Sequence, residues 1–356
     1  MARISQLEPT RVTVGVDTHR DVHVAVALDQ LGRRLDQIEL ATTSAGYERL
    51  LAWAESLGVV EAFGVEGTGC YGAALARHLR ARDLLVVEVM RPNRQTRRRK
   101  GKSDPTDAEA AARAVLSTEA AGSPKAGNDL VEMIRVLRVA RGTAIKARTQ
   151  AINALRSLLV TAPPELRDQL RALSTTRLVG KAAELRPGAL GSPLAASKLA
   201  LRYLARRCQT LEAEIRSLDG QLARLTATAS PRLIGAFGVG TDTAGALLVA
   251  AGDNPDRLRS EAAFSMLCGS SPIKASSGKT NRHRLNRGGN RQANAALHRI
   301  VLVRLRYHQA TKDYVERRTS EGKSKREIIR CLKRYVAREI YAALTQSGDQ
   351  KPARAT

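Results

Sequence analysis

Apolar and polar positions alternate through the opening third of the chain. Val12, Val14 and Val16 are separated by Thr13 and Gly15, and the pattern returns at His23-Val24-Ala25-Val26 after a polar break. A period of two predicts strands with one face in a core. Gly32 then turns the chain toward a third strand near Ile38–Leu40, and three strands in quick succession imply an antiparallel meander. The spacing next predicts a helix over Ala45–Leu57, a strand over Ala62–Glu66, a helix over Ala73–Arg82 and a strand over Leu84–Met90.

Beyond residue 103 the period becomes helical. A helix is expected from Asp104, and another over Asn128–Leu159, with Leu130, Ile134, Leu137, Ala144, Ala151 and Leu155 near one face. Pro163-Pro164 ends it, and a second break is expected around Pro187–Pro193. Leu201, Leu204, Cys208, Leu211, Ile215, Leu218, Leu222 and Leu225 then keep 3-4 spacing over more than three heptads. That spacing predicts a coiled-coil seam, closed between chains or against the preceding helix. Ser230-Pro231 marks a further boundary before a final helical domain that carries a Gly- and Arg-rich loop from Gly269 to Arg291. The expected domains are 1–123 (α/β), 124–229 (helical, coiled-coil, oligomerising) and 230–346 (mostly α-helical), with a disordered tail at 347–356.

Composition adds a partner to this outline. The 356 residues carry 59 Lys+Arg against 34 Asp+Glu, a formal net charge of +25. An excess of this size points to a polyanion, nucleic acid first, whose counterions are released on binding. A coding bias toward Arg could raise the amount but not cluster it, and Arg94, Arg97, Arg98, Arg99, Lys100 and Lys102 are packed into one short stretch. No uninterrupted apolar span or signal peptide is apparent, because Asp17, His19, Arg20 and Asp21 interrupt the apolar opening. Cys70, Cys208, Cys268 and Cys331 are scattered, so a disulfide framework or zinc site is not expected and a reducing cytoplasm fits.

The candidate chemistry lies in four acids. Asp17 ends the first strand and Glu66 the fourth, each beside small residues that could leave room for a phosphate backbone. Asp104 and Asp107 stand three apart at a helix start and face the same way. Ser103-Asp104-Pro105-Thr106-Asp107 is also an ordinary helix start, with Asp104 as N-cap and Pro105 in the first turn. Converging carboxylates repel unless cations neutralise them, and oxygen ligands suit Mg²⁺ or Mn²⁺. The strings Gly-Val-Asp17-Thr-His, Val-Glu66-Gly-Thr-Gly and Lys102-Ser-Asp104-Pro-Thr-Asp107-Ala together resemble the DEDD transposases of bacterial insertion sequences (the IS one-ten group). The element order matches a ribonuclease-H-like domain, and the resemblance implies one similar to the Holliday-junction resolvase RuvC.

A second block supports the same resemblance. Gly235-Ala-Phe-Gly238-Val-Gly240 looks like the turn that opens the family's second domain, although it also reads as a tight interhelical turn. Cys268-Gly269-Ser270-Ser271-Pro272, Ser276-Ser277-Gly278 and Gly289-Asn290-Arg291 resemble the family's A-G-L-x-P, S-G and G-N-R strings, with Ser270-Ser271 departing from the usual Leu-Thr. The resemblance implies that the serine of S-G, here Ser277, is a nucleophile joined covalently to DNA. Ser276, Ser270 and Ser271 stand close by, and serines in such loops are usually turn chemistry. Lys279, Arg282, Arg284, Arg287 and Arg291 are expected to bind nucleic acid. The implied protein is a recombinase that cuts and rejoins DNA by transesterification, with Mg²⁺ or Mn²⁺ on Asp17, Glu66, Asp104 and Asp107. The resemblance also implies a guide RNA, while the coiled-coil seam points to a homo-oligomer (dimer or tetramer) and the lack of an apolar span to no membrane. A junction-resolving nuclease that activates water is the alternative.

Overall fold

In a computed structural model, the residues described are 9–89, 103–120, 122–254, 257–278, 280 and 282–345. They divide into two compact units, residues 1–129 with 251–259, and residues 130–250 with 260–356.

The first unit is a mixed α/β sheet. Strands β1 (Arg11–Thr18), β2 (Val22–Leu28) and β3 (Arg34–Ala41) form the antiparallel meander, and β4 (Val59–Glu66) and β5 (Val86–Val89) lie parallel to β1 in the order β3-β2-β1-β4-β5. Gly32 makes the expected turn at φ 77°, where a Cβ would be strained, and Asp29 Oδ1 accepts the amides of Leu31 and Arg33 around it.

The sheet buries both faces. Val12, Val14, Val16, Phe63 and Val65 point to one side, where they pack with residues of α1 (Ser44–Leu57) and α2 (Ala73–Arg80). On the other side Val26 and Leu28 meet Ala108 and Ala112 of α3 (Asp104–Leu116). Thr43 caps α1 by accepting the Gly46 amide. The returning segment 251–259 belongs to this unit: the Arg257 guanidinium reaches Glu88 Oε2 at 3.3 Å, and Asn254 donates to the Pro124 carbonyl.

The second unit is helical. Long helices α4 (Leu130–Val160) and α7 (Pro193–Ala229) pack along each other, with α5 (Pro164–Leu170) and α6 (Thr175–Ala183) in the core at one end. Pro164 and Pro193 therefore open helices, occupying first-turn positions where no amide is needed. Along α7, Leu201, Cys208, Ile215 and Leu222 are buried, whereas Leu204, Leu211, Leu218 and Leu225 are only half-buried. Short α8 (Pro231–Gly235), α9 (Thr241–Ala251), α10 (Glu261–Leu267), α11 (Arg291–Tyr307), α12 (Gln309–Ser320) and α13 (Lys325–Thr345) follow. The Gly- and Arg-rich segment is not all loop: β6 (Ile273–Lys274) and β7 (His283–Arg284) pair antiparallel within it. Two-residue strands are too short to show a period. No helix among the described residues is long and apolar enough to cross a membrane.

Candidate active site

Two glycines decide where the acids meet. Gly15 and Gly64 each stand two residues before an acid, so each shares a strand face with Asp17 or Glu66. That face carries α3. A Cβ on Gly15 would lie 2.0 Å from the Ala108 carbonyl oxygen, and one on Gly64 would lie 2.8 Å from that of Ala111. The helix thus rests directly on the strand backbones at Gly15 and Gly64. This close approach brings the first turn of α3, with Asp104 and Asp107, to the end of the sheet where Asp17 and Glu66 emerge.

The strand ends are held together at that edge. Val16 pairs with Val65 in parallel register, and the Thr18 hydroxyl donates to the Glu66 carbonyl at 2.9 Å. Asp17, Glu66 and Asp107 are all buried, at 7%, 5% and 6% exposure. Asp104 is more open and is the first helical residue; Ser103 occupies the cap position expected for Asp104 and bonds the Thr106 hydroxyl.

His19 is the residue that the sequence reading left out of the site. Its Nε2 lies 3.3 Å from Asp17 Oδ2 and 3.4 Å from Asp104 Oδ1. The signal was its place two residues after Asp17, just past the end of β1. Burial pushes the Asp17 carboxyl above the usual carboxylate range; His19 pulls it back, and Asp107 and Asp104 push it up again. A site that gathers like charge against burial in this way suits a divalent cation. Asp17, His19 and Asp104 bring one ligand atom each within 4.8 Å of one another. One imidazole and two carboxylates are acceptable to Mn²⁺, while a shell completed by Glu66 and Asp107 oxygens would suit Mg²⁺.

The serine block lies in the second unit. Ser277 sits at the tip of the β6–β7 hairpin, exchanging backbone hydrogen bonds of 3.1 and 3.0 Å with Thr280 across a turn that contains Gly278 at φ 52°. It is exposed, and its hydroxyl has no hydrogen-bond partner among the described residues. Ser276 differs: its Oγ accepts the Arg282 amide at 3.3 Å and so helps to close the hairpin. Ser270 Oγ donates to the Ser265 carbonyl. The Gly269 and Gly289 strings lie against each other, since a Cβ on Gly289 would sit 2.4 Å from the Gly269 amide, and the Asn290 amide donates to the Leu267 carbonyl. Asn294 adds donors to the carbonyls of Cys268 and Gly269.

Arg282, Arg284, Arg287 and Arg291 are exposed on the hairpin, the loop after it and the start of α11. Arg94, Arg97, Arg98, Arg99, Lys100, Lys102 and Lys279 lie outside the described residues, as do Met90 and the tail at 347–356. In the Gly238–Gly240 turn, Gly238 has φ 82°, and Thr243 Oγ1 accepts the Gly240 amide at 2.9 Å.

Comparison with known families gives two matches. A family model described as transposase (DEDD_Tnp_IS110) matches residues 14–164, and one described as transposase of the IS116/IS110/IS902 family matches residues 231–316. No curated protein matches the chain at a significant level.

Proposed function

The chain belongs to the IS116/IS110/IS902 family of transposases, enzymes that cut and join DNA, and from that premise we propose that it does so by transesterification through Ser277, with a divalent cation on the acidic cluster. The observation that carries this reading is the burial of Asp17, Glu66 and Asp107, with Asp17 and Glu66 at the ends of neighbouring strands β1 and β4 and Asp104 close to Asp17. The first domain reads as ribonuclease-H-like, a fold whose first and fourth strands bring their carboxylates together in this way.

Asp17, Glu66, Asp104 and Asp107 would hold Mg²⁺ or Mn²⁺, which when bound supplies positive charge to phosphate oxygens and to a developing oxyanion. His19, between Asp17 and Asp104, can hold a proton or add a nitrogen ligand. The Ser277 hydroxyl attacks phosphorus: a bond from Oγ to phosphorus forms as a bond from phosphorus to a sugar oxygen breaks, and the serine proton leaves to solvent or a base. The phosphodiester energy is retained in the serine ester, so a second attack by a sugar hydroxyl can rejoin strands. Arg282, Arg284, Arg287 and Arg291 surround this serine in sequence with positive charge that would hold DNA phosphates. A structured guide RNA fits the +25 charge, and the half-buried row Leu204, Leu211, Leu218 and Leu225 fits a coiled-coil contact between copies.

The test is denaturing electrophoresis of the protein with labelled DNA and Mg²⁺. The parent should give a covalent protein–DNA band, Ser277→Ala none, and Ser276→Ala nearly the parental amount. Asp17→Asn and Glu66→Gln should each reduce it by about 10³-fold or more. Strand cutting that survives in Ser277→Ala without any covalent band would transfer the reaction to water, as in a junction-resolving nuclease.

A further inference from the structure

Two cavities in the second unit open side by side, of about 780 Å³ and about 630 Å³, and share the wall formed by Gly269, Leu285, Asn286, Arg330 and Lys333. One side of this groove is the loop that carries the hairpin; the other is α13. Neither the acidic cluster nor the serine chemistry uses α13.

The groove carries more cations than its acids, Glu327 and the Glu261 that pairs with Arg334 and Arg338, can balance. Arg330, Lys333 and Arg284 face it, and none has an acidic partner within ion-pair distance among the described residues. Arg334 is paired with Glu261, and Glu327 is turned to cap its own helix, accepting from the Ser324 amide and hydroxyl. Lys333 is half-buried and donates to Asn294 Oδ1 at 2.6 Å. Burial holds its ammonium below the usual lysine range and Arg330 pushes in the same direction, against a pull back from Cys268. Cations crowded in this way repel each other until an anion bridges them.

The second feature is aromatic. Phe, Trp and Tyr make up only 3% of this chain, yet Tyr335 lines the larger cavity with 52% of its surface exposed. Its ring is held by a T-shaped contact with Tyr314 at 5.6 Å, and the Arg338 guanidinium lies 6.0 Å from its centroid. Phosphate-seeking cations beside an exposed, buttressed ring are what an unpaired nucleotide needs, because a base inside a duplex offers no free face for stacking.

We propose that this groove binds an unpaired stretch of polynucleotide, with phosphates on Arg330 and Lys333 and a base stacked on Tyr335. It deepens the reading of the chain as a nucleic-acid enzyme and rests on it only for the class of ligand. DNA and RNA share this chemistry, so both are probed.

The experiment is fluorescence anisotropy of the full chain in EDTA, with labelled oligo(dT), oligo(U) and a duplex of equal length. Tyr335→Leu should weaken binding of at least one single strand by about 5- to 100-fold and leave the duplex within about two-fold. Tyr335→Phe, which keeps the stacking face, should bind like the parent, and Arg330→Ala should flatten the salt slope by about one. The single strand that loses affinity identifies the sugar. Equal binding by Tyr335→Leu, or single strand and duplex falling together, overturns the proposal. Should the Leu variant fail to fold, photocrosslinking of a thio-substituted oligonucleotide to the parent decides. An adduct within Lys325–Thr345 supports the groove, and none in that helix overturns it. The experiment reads binding and not cleavage, so the result stands whether or not Ser277 proves to be the nucleophile.

Discussion

The two units treat their acids in opposite ways. In the helical unit, Asp242 at the start of α9 meets Arg138 at 2.7 Å and Arg299 at 2.5 Å, and Glu339 takes both terminal nitrogens of Arg304 at 2.6 and 2.7 Å. In the sheet unit, Asp17 has His19 for a partner and Asp104 and Asp107 for further neighbours. The electrostatic outcomes are opposite too. Burial would raise Asp242, but Arg138 and Arg299 hold it below the usual carboxylate range, and the Arg304 hydrogen bonds do the same for Glu339. Asp17 is pushed up. A carboxylate that joins helices is given its own cation within the chain; Asp17 stands among other carboxylates, as the proposed cation site requires. Among the described residues, no Arg or Lys figures among the groups that shift Asp17.

The contrast is most exposed to attack at Gly15. A Cβ there would run into the Ala108 carbonyl and the Ala112 amide, at 2.0 and 2.3 Å, and helix backbone cannot yield as a side chain can. Gly15→Ala should therefore cost about 2–3 kcal/mol in urea unfolding and, by moving α3 with Asp104 and Asp107, remove most DNA cleavage even in the folded fraction. Parental stability together with parental cleavage would mean that α3 does not set the distance between the two pairs of acids.

Much of this was legible in the sequence. Strict alternation marked β1 and β2, the acids stood at strand ends, and Pro105 with its flanking Asp residues announced α3. The role of Gly15 was not legible, because a small residue in a strand can face a helix, a ligand or nothing, and only packing distinguishes them. His19 was passed over as one of several polar residues that interrupt an apolar run. The Asp242 partners were beyond reach for a different reason: Arg138 lies 104 residues away in the chain, on a helix with many arginines. The β6–β7 hairpin was missed because its strands are two residues long.

Asp242 supplies the next test. Its folded-state value is depressed, so its contribution is present above the ordinary value of 3.8 and is lost as pH falls through the depressed one. Asp242→Asn leaves Arg138 and Arg299 facing each other and should lower stability at neutral pH by about 1–2 kcal/mol, allowing for partial solvent screening. The difference should shrink in acid as the parent loses its own charge. Thermal melts at neutral pH and near pH 3 measure both. A variant as stable as the parent at neutral pH would show that these arginines are satisfied elsewhere.

Asp17→Asn should have a smaller effect and the opposite sign. The folded-state value of Asp17 is raised, so the ionised form is disfavoured on folding. Its share of stability is present below the ordinary value of 3.8 and is lost as pH rises through the raised one. At neutral pH and without divalent metal, the parent therefore carries a strain that an amide of the same shape relieves, and the variant should gain about 0.5–2 kcal/mol. The gain should fade as pH drops and the parent protonates. Mg²⁺ or Mn²⁺ should reverse the ranking, because an ion that binds only the folded parent stabilises it in proportion to the logarithm of its concentration, while the amide has lost a charged ligand. Differential scanning calorimetry in EDTA and across a metal titration reads all three trends without any DNA present. If Asp17→Asn is less stable than the parent in EDTA, then Asp17 is paired like Asp242, and the acidic cluster is a piece of structure rather than a cation site.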